Sequence, residues 1–270
     1  MKLQGWRAAA TSVRGTSHVK GDLPCQDSHA FDLIAGVEEV LVLVASDGAG
    51  SAAHSDVGSQ LACQELLDCI RLYFSDGKRV SDLTRDIALG WLENAAAVIV
   101  RAAAETESST REYACTLLAA LISPTHTAYI QVGDGAIVVR SDSDGWAYVF
   151  WPQHGEYINT TVFITDPVAL KKFEFDVASS VIHEVAAFTD GIESLVLQYS
   201  TQTVHGPFFD MIFGPVRTRP QAGLDKGLSE QLKAYLESDK VCSRTDDDKT
   251  LLIASRLVKA PSRALVVIEA

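Results

Sequence analysis

The chain lacks the features that mark several large protein classes. Nowhere in its 270 residues does an apolar run approach the ~20 residues that a membrane-spanning helix needs. Positive charge is scarce: 23 Lys and Arg stand against 35 Asp and Glu, a formal net charge of −12. Nucleic acids and anionic membrane surfaces both call for a basic face, so neither is expected as a partner. Cysteine is sparse and odd in number, with Cys25, Cys63, Cys69, Cys115 and Cys242 forming no CxxC pair. That pattern argues against a zinc site or a disulfide framework; four of the five sit in apolar contexts, which predicts buried, reduced thiols. The first residues, Met1-Lys2-Leu3-Gln4-Gly5-Trp6-Arg7, lack the apolar core of a signal peptide. A cytoplasmic protein is expected. There is no repeat, no low-complexity tract and no linker, so one domain spanning 1–270 is expected, with 47% hydrophobic residues to fill a large core.

What is present is a change of hydrophobic period along the chain. Residues 38–46 form a continuous apolar stretch, read as a strand that ends at Asp47. A turn of small residues follows, Gly48 to Ala53. From Ser55, a suitable N-cap, to Phe74, the apolar positions Val57, Leu61, Ala62, Leu66, Cys69, Ile70 and Tyr73 recur at helical spacing. Asp76-Gly77 breaks this helix from a second one over about 81–104. The texture then becomes short, β-branched or aromatic segments, which predict strands over 115–122, 128–132, 136–140, 147–151, 161–165, 173–177 and 185–189. Residues 200–221 read as a loop with one short helix, 224–236 as a helix, and 250–256 and 264–268 as strands. This order predicts an α+β protein in which mainly antiparallel sheets are covered by helices.

Four aspartates are read as sitting where an apolar strand runs out into a polar turn: Asp27, Asp47, Asp190 and Asp247. Asp47 and Asp190 are each followed by glycine, which turns tightly and leaves a carbonyl open to a ligand. Hard cations such as Mg²⁺ and Mn²⁺ take oxygen ligands from side chains and backbone alike, so the set predicts a metal centre of two or more ions gathered from distant strands. Taken one at a time, Asp-Gly is the ordinary turn dipeptide, and Asp246-Asp247-Asp248 has a second reading as a solvated charge run, although its position just before a strand favours at least one ligand. An acidic protein can still bind phosphate where a metal supplies the positive charge.

Taken in order, these segments resemble the metal-dependent type 2C protein phosphatases (the PPM family), in particular its compact bacterial branch, over roughly residues 5–257. Asp47-Gly48 looks like the first "DG" turn of that family and Thr116 like the Gly/Ser-Thr step that opens the next strand. Val132-Gly133-Asp134-Gly135 looks like its "VGDSR" turn, Asp190-Gly191 like the second "DG", and Asp247-Asp248-Lys249-Thr250 like "DNxT". The resemblance implies a four-layer αββα sandwich and an active Ser/Thr phosphatase that uses two Mn²⁺ or Mg²⁺ ions to activate a water. It implies that Asp47 bridges both ions, that Asp190 and Asp247 bind one and the Gly48 carbonyl the other, and that Asp27 acts directly or through water. Asp134 would reach a third ion. The implied substrate is a phosphoprotein made by a Ser/Thr kinase, and the implied protein is a monomer.

The sequence also departs from that pattern. Gln26 replaces a common Glu, and Asp22 stands where an Arg commonly holds the phosphate. His18 and Lys20 are the nearest candidates to take over that role. Ala49 stands where some members carry a His proposed as general acid, which assigns leaving-group protonation to a metal-bound water. Ala136 or Ile137 occupies the "VGDSR" Arg position. Ser194 replaces a later aspartate, so the third site lacks one of its usual ligands. Two other readings stay open on the residues alone: a phosphatase-like binding module without turnover, and a hydrolase of small phosphoesters.

Overall fold

A computed structural model describes residues 5–141, 145–153 and 161–257. The chain opens with β1 (Trp6–Val13), the short helix α1 (Thr16–Gly21), β2 (Ser28–Ile34) and β3 (Val40–Ser46). Two 21-residue helices follow, α2 (Ser55–Ser75) and α3 (Arg85–Glu105), with 3₁₀ turns at Val80–Asp82 and Thr110–Tyr113. The middle of the chain supplies β4 (Leu117–Ile122), β5 (Thr127–Val132), β6 (Ala136–Ser141), β7 (Ala147–Tyr148), α4 (Ala169–Lys172), β8 (Glu174–Ala178) and β9 (Ile182–Phe188). The last third contains α5 (Asp190–Val196), the small hairpin β10 (Leu197–Gln198) and β11 (Thr203–Val204), and α6 (Gly206–Arg217). It closes with β12 (Gly223–Leu224), α7 (Lys226–Leu236), α8 (Asp239–Cys242) and β13 (Lys249–Arg256).

Two main sheets result, one ordered β12-β1-β13-β9-β6-β7 and the other β2-β3-β4-β5-β8. All their pairings are antiparallel except β1 with β12. Alternation along each strand sorts side chains into layers, because successive residues point to opposite faces. On β3, Val40, Val42 and Val44 face α2 and α3 together with Leu117, Ala119 and Leu121 of β4. Leu41, Leu43 and Ala45 point the other way and meet Ala8 and Ala10 of β1 and Leu252 of β13 between the sheets. The far face of the six-stranded sheet buries Ala186 and Phe188 against Phe209 and Phe213 of α6 and Leu232 of α7. Helices, sheet, sheet, helices: the four-layer αββα sandwich is the fold.

Several expectations need correction. The strand expected at 147–151 shortens to Ala147–Tyr148, and 161–165 carries turns rather than a strand. The aromatic stretch expected to be mostly loop contains the 12-residue α6, where Phe208, Phe209, Phe213 and Val216 are buried along one face and a proline in the first turn is tolerated. Ser55 is not the N-cap of α2; His54 holds that place, without a side-chain cap. Of the five free cysteines only Cys63 and Cys115 are buried, and the other three are partly exposed. α3 is long and apolar enough to pass for a membrane span by length and composition, contrary to the reading of the bare sequence. In the fold its Trp91, Leu92, Ala95 and Ile99 lie in the core between the helices and the five-stranded sheet. The strand expected at 264–268 lies outside the described residues.

Candidate metal centre

The two sheets place five connections at one end of the sandwich, and each brings a carboxylate. β3 ends at Ser46, and Asp47 follows directly. Its backbone is fixed from the neighbouring strand: the Asp47 N–H donates to Thr116 Oγ1 (2.9 Å), and the Thr116 N–H donates to the Asp47 carbonyl (2.8 Å). The next bond in this register runs from the Ala49 N–H to the Ala114 carbonyl (2.9 Å), so the pairing bypasses the Gly48 carbonyl. A Cβ at Gly48 would lie 2.5 Å from the Gln26 carbonyl oxygen and 2.7 Å from that of Ser55. Only glycine fits where these three backbones meet.

Asp134 sits in the β5–β6 turn between Gly133 (φ +95°) and Gly135 (φ +83°), both in backbone regions that side-chain-bearing residues rarely adopt. Asp190 begins α5, two residues past the end of β9. A carboxylate oxygen from each of Asp47, Asp134 and Asp190 lies within 4.8 Å of the other two. All three line one cavity of about 1030 Å³, which Gly48 and Asp247 also line. Asp134, expected to share a third ion with Asp190, lies within this group of three.

Asp27 is buried directly before β2, and its Oδ2 accepts the Thr189 hydroxyl (2.7 Å). Its Oδ1 is also buried and takes no hydrogen bond from any described residue. Asp27 and Asp247 precede their strands rather than ending them, yet both reach the same end of the sandwich because β2 and β13 start there.

The electrostatics are those of a site that wants a cation. Burial raises Asp190 to about 9, and the neighbouring charges of Asp134, Asp247 and Asp27 add to the shift. Asp47 is pushed well above the ordinary carboxylate range, first by burial and then by Asp190, Asp27 and Asp134. Burial also raises Asp27 to about 7, while the Thr189 hydroxyl pulls the other way. Like-charged carboxylates that are partly desolvated can be ionised together only if positive charge is added. An all-oxygen donor set with a glycine carbonyl beside it suits Mg²⁺ or Mn²⁺.

His18 and Lys20, the candidates for phosphate, are not on the cavity wall. Lys20 is exposed on α1. His18 is buried, and its Nδ1 lies 2.8 Å from Asp248 Oδ2. Asp248 is the residue the sequence reading overlooked. Its carboxylate also accepts the backbone N–H groups of Gly15 (2.6 Å) and Gln26 (2.5 Å), so it ties the β1–α1 connection and the loop before β2 to the turn that bears Asp247. Asp248 is buried while Asp246 and Asp247 before it are exposed, a difference that three identical residues in a row do not signal. Glu193 was likewise unforeseen: it lines the cavity and accepts hydrogen bonds from the Gly135 N–H and the Tyr199 hydroxyl. Ser194 lines the cavity too, without a carboxylate to offer.

Over residues 14–237 the chain matches the family described as Protein phosphatase 2C. It is 36% identical over 251 residues to serine/threonine-protein phosphatase 3 of Escherichia coli (strain K12), a similarity that covers 92% of this chain and 98% of that protein. Among solved structures it resembles the catalytic domain of the serine/threonine protein phosphatase PstP in complex with two manganese ions, with a TM-score of 0.60 and 15% identity over 95% of this chain and 100% of that one. The serine/threonine phosphatase Stp1 of Staphylococcus aureus gives 0.59 and 15% over 96% and 98%. At such identities the solved structures speak for the fold.

Proposed function

The chain belongs to the protein phosphatase 2C family and is a metal-dependent serine/threonine protein phosphatase, and we propose that Asp47, Asp134, Asp190 and Asp247, with the Gly48 carbonyl and Asp27 beside them, form its catalytic centre. The observation that carries this assignment is the convergence of three carboxylates within 4.8 Å from turns that lie 47 to 190 in the chain. When bound there, two Mn²⁺ or Mg²⁺ ions supply a deprotonated water and offset the charge that builds on the phosphoryl oxygens as the P–O bond to serine or threonine breaks.

The chain's own residues hold this centre in shape. Thr116 fixes the backbone of Asp47 through its hydroxyl and N–H, and the Ser46 hydroxyl donates to the Thr116 carbonyl (2.6 Å). Thr189 holds Asp27 through its hydroxyl, and the same Oγ1 accepts the Thr250 N–H (3.0 Å), so β9 and β13 share one anchor behind the centre. Ala49 offers no proton to the departing serine or threonine oxygen. On this reading the substrate is a phosphoprotein made by a serine/threonine kinase, the protein acts as a cytoplasmic monomer, and its net charge of −12 disfavours nucleic acids and anionic bilayers.

The test is hydrolysis of p-nitrophenyl phosphate and of a phosphothreonine peptide with Mn²⁺ and with EDTA, for the wild type and Asp47→Asn. Turnover of both substrates is expected with Mn²⁺ alone and is expected to vanish in the variant. Equal rates with EDTA would remove the metal from the reaction. Hydrolysis of the small ester without the peptide would favour a small-phosphoester hydrolase, and no turnover at all would favour a binding module.

A further inference from the structure

We propose that Arg111 is the residue that captures the substrate's phosphoryl group at the mouth of the carboxylate centre; the inference rests on the assignment of that centre as the phosphatase site. Among the described residues that line the cavity, Arg111 is the only Lys, Arg or His. The same wall presents six acidic side chains, Asp47, Asp134, Asp166, Asp190, Glu193 and Asp247. A phosphomonoester dianion entering such a cleft meets repulsion from every carboxylate that a metal does not neutralise, so a fixed cation there has a large effect.

The position of Arg111 is set by its neighbours rather than by its own side chain. It lies in the 3₁₀ turn Thr110–Tyr113, whose other residues are pinned to the turn after Asp47. The Glu112 carboxylate accepts the Ala53 N–H (2.9 Å), and the Glu112 carbonyl accepts the His54 N–H (2.8 Å). The Tyr113 ring is buried with its centroid 5.0 Å from that of His54, and its hydroxyl bonds Thr106 Oγ1 (2.9 Å). Arg111's own carbonyl accepts the Ala114 N–H (3.2 Å), and the Ala114 carbonyl accepts that of Ala49, two residues past Asp47. The backbone that bears Arg111 is thus held beside Gly48 and Ala49, and its exposed side chain lines the cavity.

It is also uncommitted. No carboxylate or carbonyl among the described residues accepts from the Arg111 side chain; arginines at 7, 71, 140, 217 and 256 are tied into pairs or carbonyl bonds, and Arg101 and Arg244, which like Arg111 are not, do not line the cavity. A planar guanidinium with its donors unspent is matched to two phosphoryl oxygens at once.

The experiment compares Arg111→Ala and Arg111→Lys with the wild type, all Mn²⁺-loaded. KM for p-nitrophenyl phosphate and for a phosphothreonine peptide is expected to rise together by roughly ten- to hundredfold in the alanine variant, the range for losing charge-assisted hydrogen bonds. Inhibition by inorganic phosphate should weaken in parallel, while kcat changes less and the Mn²⁺ affinity and melting temperature stay put. Lysine should restore only part of the loss, since a point charge cannot form the fork. Unchanged KM and phosphate inhibition in Arg111→Ala would overturn the proposal. So would an effect confined to peptides with acidic residues beside the phosphothreonine, which would assign the guanidinium to the flanking sequence. If the wild type shows no Mn²⁺-dependent turnover, the activity assignment fails separately. Calorimetric binding of inorganic phosphate to the Mn²⁺-loaded protein then decides the role of Arg111, with loss in the alanine variant expected and equal binding overturning it.

Discussion

At the scale of single residues, the centre is a compromise between a cation and the repulsion its ligands feel without one. Asp190 shows this most clearly, raised to about 9 by burial and by Asp134, Asp247 and Asp27. A carboxyl whose folded pKa exceeds its unfolded value keeps a proton in the native state that the unfolded chain releases. Its contribution to stability is therefore full below about 4 and is lost as pH rises toward 9. The metal-free protein is expected to lose melting temperature over that window, and Asp190→Asn should flatten the slope because it removes the titrating group. Parallel slopes in wild type and variant, read by calorimetry in EDTA from pH 5 to 9, would contradict this. The same substitution should lower Mn²⁺-dependent turnover by roughly a hundredfold or more, since even partners outside the ligand shell cost 10–100-fold. Asp47, Asp190 and Asp247 could be picked out from the chain because Asp-Gly turns and an acidic run stand next to apolar stretches. Glu193 could not, because its approach to Asp134 depends on how α5 leaves β9.

At the scale of elements, α1 does what the sequence had left to a substrate-binding loop. His18, the two backbone N–H groups at Gly15 and Gln26, and Asp248 make one buried knot between the N-terminal segment and β13. His18→Ala leaves Asp248 short of one partner, and the expected cost is about 1–3 kcal/mol of stability. Mn²⁺ affinity should fall with it, because Asp247 belongs to the same turn. KM for p-nitrophenyl phosphate at saturating Mn²⁺ should not change. A raised KM with intact stability and metal affinity would instead mean that His18 touches substrate. The helices α2 and α3 were readable from their 3.6-residue period, and β3 and β4 from their apolar runs. β1 was not: Ala8-Ala9-Ala10 carries no β-branched signature, and it becomes a strand because β13 and β12 pair with it on either side. The turns at 161–165 read as a strand for the converse reason. Val162-Phe163-Ile164 is a short β-branched and aromatic run, but the backbone closes a turn there, with the Asp166 N–H donating to the Phe163 carbonyl (3.0 Å).

At the scale of the whole molecule, the geometry of the centre is set by how the two sheets pack. Asp47 and Asp134 come from the five-stranded sheet, or its exit, and Asp190 and Asp247 from the six-stranded one. Leu43 is fully buried between the sheets, whereas Leu232 is buried between the six-stranded sheet and α7. Each leucine-to-alanine change should cost about 2–5 kcal/mol, the usual range for a core leucine. Only Leu43→Ala should also weaken Mn²⁺ binding, measured as the shift of melting temperature with added metal. Equal loss of metal affinity in both variants would show that the centre senses global stability alone.

The sequence by itself determined the α+β class, the two long helices, most of the strands and the turns that hold the carboxylates. These are local matters of period, apolar run and Asp-Gly chemistry, which each segment carries wherever it is placed. Only the tertiary structure decided which turns meet. Strand order brings the starts of β2 and β13 to the same end as the exits of β3 and β9, and that order depends on pairings between residues up to about 250 positions apart. It put Asp134 inside the cluster, moved His18 out of the cleft into a buried knot with Asp248, and set Arg111 on its wall. None of these outcomes has a sequence period, because each rests on contact between chain segments that have no local interaction.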